Sequence, residues 1–171
     1  MLRAILIGPP GSGKSSIGKS LSRELSTSFA DTDELIVVRE GKSIPQIFAE
    51  VGESGFRAIE KEVVLQALHA NYGILSLGGG SILTPEVQQA IALSKAHVIY
   101  LHVGIENVVA RLSAKSDRPL VADSPREQWL KIFNDRKSIY EELSTLTIST
   151  DNKKAHEVAR ELVAMMGLAR A

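Results

Sequence analysis

The chain predicts an α/β fold in which a five-stranded parallel sheet carries helices on both faces. Three observations carry that prediction. Short apolar runs alternate with amphipathic helical stretches from end to end, which favours a parallel sheet over separate α and β blocks. A glycine-rich loop lies directly between the first apolar run and the first helical stretch. No internal repeat, low-complexity stretch or linker interrupts the alternation, so 171 residues read as one domain, 1–171.

Taken in order, Ala4–Ile7 is a buried strand, and Ile17, Leu21 and Leu25 recur every four residues on the helix that follows from Lys14. Ser28–Ala30 is a short strand ending at Asp31, with a helix beginning near Glu34. Ile44–Val51 and Phe56–Leu68 are two helices, and Gly73–Leu77 is a strand closed by Gly78-Gly79-Gly80. Thr84-Pro85-Glu86 supplies the cap and proline of a helix start, and that helix reaches Leu93. His97–Val103 is a strand and Glu106–Leu112 a helix. Ala114–Arg126, polar and holding Pro119 and Pro125, is a loop. Gln128–Leu143 (helix), Leu146–Ser149 (strand) and Ala155–Met166 (helix) complete the chain.

Composition removes several classes of function. Lys plus Arg equals Asp plus Glu, 20 against 20, which argues against a broad nucleic-acid footprint. With no cysteine, disulfides, thiolate catalysis and zinc–thiolate sites are excluded. The first apolar run is too short for a signal-peptide core, and no run approaches the roughly 20 residues of a membrane span. The expectation is a cytoplasmic protein with neither membrane nor nucleic-acid partner, acting as a monomer.

Gly8-Pro9-Pro10-Gly11-Ser12-Gly13-Lys14-Ser15 fits G-x-x-x-x-G-K-[ST] in full, with a strand before it and a helix after it. Its glycines let successive N–H groups converge on phosphate oxygens, and the helix N-terminus adds a positive dipole end. Lys14 can reach the β- and γ-phosphates and the Ser15 hydroxyl a Mg²⁺ ion, so the motif implies nucleotide-phosphate binding without saying what receives the phosphate. A guanine-reading N-K-x-D segment is missing, since Asn152-Lys153-Lys154-Ala155 lacks the aspartate.

Further clusters suit an anionic, hydroxylated acceptor. Asp31-Thr32-Asp33 follows the second strand, where ligands of parallel sheets sit. Asp31 can serve the Mg²⁺ shell and Asp33 the attacking hydroxyl; a helix cap could explain one of the two carboxylates but not readily both, which favours function. Arg57 and Glu60 share a helix face; spacing alone describes an exposed ion pair, while an arginine so placed can also grip a carboxylate. The triple glycine 78–80 permits close ligand approach, or is a plain turn. Arg118-Pro119-Leu120 suits a lid that brings charge to a transferring phosphoryl group. Arg136, with Tyr140 one turn on, is by itself surface decoration.

Together, in this order, the phosphate loop, Asp31-Thr32-Asp33, Gly52-Glu53-x-x-Phe56-Arg57-x-x-Glu60, the triple glycine, Arg118-Pro119-Leu120 and Arg136 with Tyr140 resemble the shikimate kinase family. The resemblance implies a three-layer P-loop kinase fold of the nucleoside-monophosphate-kinase type, with a substrate-binding segment at 31–60 and a lid at 112–125. It implies transfer of the ATP γ-phosphoryl group to the 3-hydroxyl of shikimate, with a gluconate kinase as the alternative. Arg57 and Arg136 would hold the shikimate carboxylate beside Gly78, Gly79 and Gly80; Asp33 would contact ring hydroxyls, and Glu60 would support Arg57. Lys14 and Arg118 would stabilise the phosphoryl group, Gly11, Ser12, Gly13, Ser15 and Ser16 would bind nucleotide, and Arg111 would stack on adenine. Asn152 would face the nucleotide from the turn after the last strand, where family members often place a proline and 149–153 has none. His69, His97, His102 and His156 share no metal-ligand spacing, and Trp129 is assigned to packing.

Overall fold

The structure is a computed structural model that describes residues 1–113 and 125–167. Among these, β1 Ala4–Ile7, β2 Phe29–Asp31, β3 Ile74–Ser76, β4 His97–His102 and β5 Leu146–Ser149 form one parallel sheet in the order β2-β3-β1-β4-β5. All four residues of β1 are buried, as a central parallel strand covered on both faces requires. Its alternation assigns the faces. Ala4 and Leu6 join Ile17 and Leu21 of α1 Lys14–Glu24 and Val158 and Leu162 of α7 Ala155–Met165. Ile5 and Ile7 join Val64 of α3 Ile44–His69, Val87 and Ile91 of α4 Pro85–Leu93, and Tyr140 of α6 Pro125–Leu143. Each fully buried Ile or Leu contributes about 1.5–3 kcal/mol, so these two layers hold the sheet between them.

The topology places the ligand. The connection leaving β1 packs on one face and the connection leaving β3 reaches α4 on the other. β1 and β3 are neighbours, so their carboxyl ends bound a crevice of the kind that takes ligands in such sheets.

Several boundaries differ from expectation for local reasons. β2 runs one residue further, and α2 Thr32–Glu40 starts two residues earlier than Glu34, because the Asp31 carboxylate caps it by accepting from the Asp33 N–H at 2.9 Å. The two helices expected over 44–68 form the single span α3, opened by a Ser43/Gln46 capping box and broken only at Gly52, whose φ of 70° suits glycine. α6 begins three residues before Gln128, at Pro125, and α5 spans Ile105–Ser113. The expected lid 112–125 therefore starts inside α5 and ends on the first residue of α6, while Arg118 lies outside the described residues. No helix among the described residues is long and apolar enough to cross a membrane.

Candidate active site

At the end of β1 the chain turns through Gly8–Gly13 into α1, and the residue capping α1 is Gly13, with φ at 89° and no side chain over the helix end. Lys14 folds back across the loop, its Nζ donating to the carbonyls of Gly8 at 2.9 Å and Pro9 at 3.0 Å. Burial pulls the Lys14 ammonium down to about 8, partly offset by the carboxylates of Asp33 and Asp31. The Ser15 hydroxyl donates to the Asp31 carboxylate, so the cap of α2 and the start of α1 meet. Gly11, Gly13, Lys14, Ser15, Ser16, Asp31, Asp33 and Gly79 line one cavity of about 320 Å³. Ser12 is not among its lining; its side chain is wholly buried beside Gly8 and its Oγ has no hydrogen-bond partner.

Arg111 lies on the other side of the loop, donating to the Gly11 carbonyl at 2.7 Å and the Thr150 carbonyl at 3.1 Å. It thus ties the phosphate loop to the turn after β5. In that turn Asp151 accepts from the Gly104 N–H, and Asn152 is exposed with φ at 56°, a left-handed conformation that asparagine tolerates well.

The acceptor side is built on the three glycines after β3. A Cβ on Gly78 would stand 2.5 Å from Asp33 Oδ1 and 3.2 Å from Glu60 Oε2. One on Gly79 would stand 3.4 Å from Arg136 Nη1, and one on Gly80 only 2.4 Å from Arg57 Nη1. The absence of side chains at 78–80 is therefore what lets Asp33 from α2, Arg57 and Glu60 from α3, and Arg136 from α6 converge. The residues singled out in sequence as an acceptor cluster come together here.

The ion pair expected to be exposed is not. Glu60 is 2 % exposed and accepts from Arg57 Nη1 at 2.6 Å, and the Arg57 guanidinium also lies over the Phe56 ring, 5.4 Å from its centroid. Phe56 in turn stacks on Phe48 at 4.3 Å. A buried carboxylate so paired fixes the direction in which Arg57 presents its remaining donors. Arg136, half-buried, is likewise no surface decoration.

Asp33 itself is reached by water from the cavity. The surrounding protein nonetheless pushes its carboxyl up to about 6, and the carboxylates of Asp31 and Glu60 add to the rise, against the pull of Lys14 and Arg57. A carboxyl held near neutrality beside a phosphate loop suits proton acceptance.

Three residues to which the sequence reading gave no site role, Thr32, Tyr140 and Trp129, make contacts here. Thr32, fully buried, accepts the Gly78 N–H at 3.0 Å and locks the triple glycine to the start of α2. Tyr140 donates to the Gly79 carbonyl at 2.7 Å, and burial keeps its phenol protonated by raising it to about 12. Trp129 donates its indole N–H to the Pro10 carbonyl at 2.9 Å. The available signal was helical spacing: Trp129, Arg136 and Tyr140 fall on one face of α6.

His97 and His102 are the first and last residues of β4, and among the described residues no three His, Cys, Asp or Glu side chains gather to hold a metal. The Ser15 hydroxyl and Asp31 carboxylate are hard oxygen donors. They fit Mg²⁺, which ordinarily takes one or two protein oxygens and completes its shell with phosphate and water.

Comparison with known proteins shows the family and the fold. The family model for shikimate kinase matches residues 10–167. A shikimate kinase of Streptomyces coelicolor is 40 % identical over 156 residues, covering 91 % of this chain and 90 % of that protein. One of Mycobacterium avium is 40 % identical over 166 residues, covering 96 % and 93 %. Among solved structures, a shikimate kinase from Acinetobacter baumannii in complex with shikimate superposes with a TM-score of 0.88 at 29 % identity, covering 97 % of this chain and 93 % of that one. A gluconokinase from Sinorhizobium meliloti reaches 0.61 at 16 % identity, covering 97 % and 91 %, a likeness of fold alone.

Proposed function

The chain belongs to the shikimate kinase family, and on that premise we propose that it transfers the γ-phosphoryl group of ATP to the 3-hydroxyl of shikimate. The observation that carries the reading is the stacking of Asp33, Glu60, Arg57 and Arg136 around three consecutive glycines beside the phosphate loop. Two guanidinium groups next to one small cavity suit a carboxylate-bearing acceptor, because each can donate paired hydrogen bonds to it.

In this reading Arg57, held by Glu60, and Arg136 grip the shikimate carboxylate, and backbone at Gly79 and Gly80 lies against the ring. Asp33 accepts a hydrogen bond from the attacking hydroxyl and takes its proton as the new O–P bond forms and the bond from the γ-phosphorus to the β–γ bridging oxygen breaks, releasing ADP. Lys14 leaves its carbonyl partners for the β- and γ-phosphates and stabilises the charge that spreads over the transferring group. Arg118 is assigned to the same charge on the family resemblance. Ser15 and Asp31 would hold Mg²⁺, which neutralises phosphate charge when bound. Backbone of Gly11 and Gly13 cradles the phosphates with Ser12 and Ser16, while Arg111 and Asn152 flank the base. The cytoplasm is the proposed compartment and a monomer the proposed acting unit.

The test is ADP formation with each candidate acceptor at saturating MgATP. Shikimate should drive turnover and gluconate should not, and ³¹P NMR of the product should place the new ester on O3. Turnover with gluconate matching that with shikimate would overturn the assignment.

A further inference from the structure

We propose that Trp129 is a positioning residue for the nucleotide, acting through the carbonyl of Pro10; this rests on the kinase reading of the phosphate loop. Residues 9 and 10 are both proline, so neither nitrogen can donate a hydrogen bond and their carbonyls are the only backbone handles on this half of the loop. Each carbonyl from Gly8 to Gly11 has a donor. Lys14 serves Gly8 and Pro9, Ser12 N–H also serves Pro9, Trp129 serves Pro10 and Arg111 serves Gly11.

These donors are not equivalent once nucleotide binds. When Lys14 turns to the phosphates, Gly8 and Pro9 lose it, and the anchors left from outside the loop are the indole and Arg111. The indole is built to stay. Trp129 is 4 % exposed, stacks on Phe133 at 4.8 Å with the rings 13° apart, and is buried with Val103 and Val108. Val108 in turn stands 3.3 Å from where a Cβ on Gly11 would be. Pro10 and Gly11 line the cavity but Trp129 does not, so it grips the loop from behind. In a trans peptide the C=O and N–H point in opposite directions. A donor fixed on the Pro10 carbonyl therefore turns the Gly11 N–H away from the indole and toward the cavity, where phosphate is recognised by such groups.

The chain has one tryptophan, which permits a clean test. Trp129→Phe keeps a ring against Phe133 and removes the donor. Biosynthetic replacement of the sole tryptophan by its benzothiophene isostere keeps the bicyclic shape and removes only the N–H, so it folds where Trp129→Phe does not. Calorimetric titration of both with MgADP and, separately, with shikimate reads the effect. MgADP affinity should fall about three- to tenfold, the range for one neutral hydrogen bond, while shikimate affinity stays within twofold. MgADP binding to the isosteric protein within twofold of the parent would overturn the proposal, as would equal weakening of both ligands, which marks general structural damage. A parent protein that fails to bind MgADP at all would instead sink the kinase reading itself.

Discussion

The ends of β1 and β3 lie side by side in the sheet, and each is followed by a glycine-rich turn at the candidate site, yet they are assembled differently. At β1 the binding groups are backbone donors and two side chains from one stretch, Gly8–Ser15. At β3 the glycines supply room, and the side chains that converge there, Asp33, Arg57, Glu60 and Arg136, come from three separate helices. A local loop suits phosphate, which every nucleotide shares. A composite site suits one particular acid, because specificity needs donors placed around the whole ligand. The contrast teaches where damage should fall: on the rate at the first turn, on acceptor affinity at the second.

The largest effect tests the donor side. Lys14→Ala should lower kcat by at least a factor of about 10²–10³, since its charge counts most in the transition state. A kcat within tenfold of the parent would remove Lys14 from the transferring group. Asp33→Asn, where the two sites meet, should lower kcat about a hundredfold while MgADP still binds in a direct titration. Its pH signature is separable. Asp33 sits near 6 and acts ionised, so kcat/KM should fall as pH drops through 6; Lys14 sits near 8 and acts charged, so it should fall again as pH rises through 8. Asp33→Asn should flatten the acid limb and move the alkaline one to lower pH, since the Asp33 carboxylate helps to hold the charge on Lys14.

The acceptor side should respond through KM. Arg136→Ala should raise the shikimate KM roughly ten- to a hundredfold, the cost of lost charge-assisted hydrogen bonds, with the ATP KM little changed. An unmoved shikimate KM would separate Arg136 from the carboxylate. The smallest effect is the most diagnostic for the role of the glycines. Gly80→Ala places a methyl 2.4 Å from Arg57 Nη1, and the flexible guanidinium can move aside. The melting temperature should therefore stay within a few degrees while the shikimate KM rises about tenfold. Collapse of stability instead would mean that the turn, not the arginine it admits, needs the glycine.

Much of this was legible beforehand for a physical reason: the features concerned are local. Apolar runs, a loop of eight residues and a proline after a threonine act within a few positions of themselves, so the strands, the order of elements and the phosphate loop could be read directly. The boundaries that moved did so through tertiary or cap chemistry, as where Asp31 caps α2 and draws its start forward to Thr32.

The acceptor residues were legible only as fragments. Arg57 and Glu60 at spacing three are indistinguishable in sequence from a solvated pair, and what sets them apart is that Glu60 is 2 % exposed against Gly78 while Arg57 lies against Gly80. Trp129 is 119 positions from Pro10, so no pattern in the chain could announce the bond between them. The sequence by itself determined the sheet, the helices and the phosphate loop, because each is set by the hydrogen bonds and side-chain periodicity of a short stretch. Only the tertiary structure decided which charges are buried, which carboxyl sits near neutrality and which distant donors meet around three glycines, because desolvation and electrostatic coupling depend on what the folded chain brings within a few ångströms.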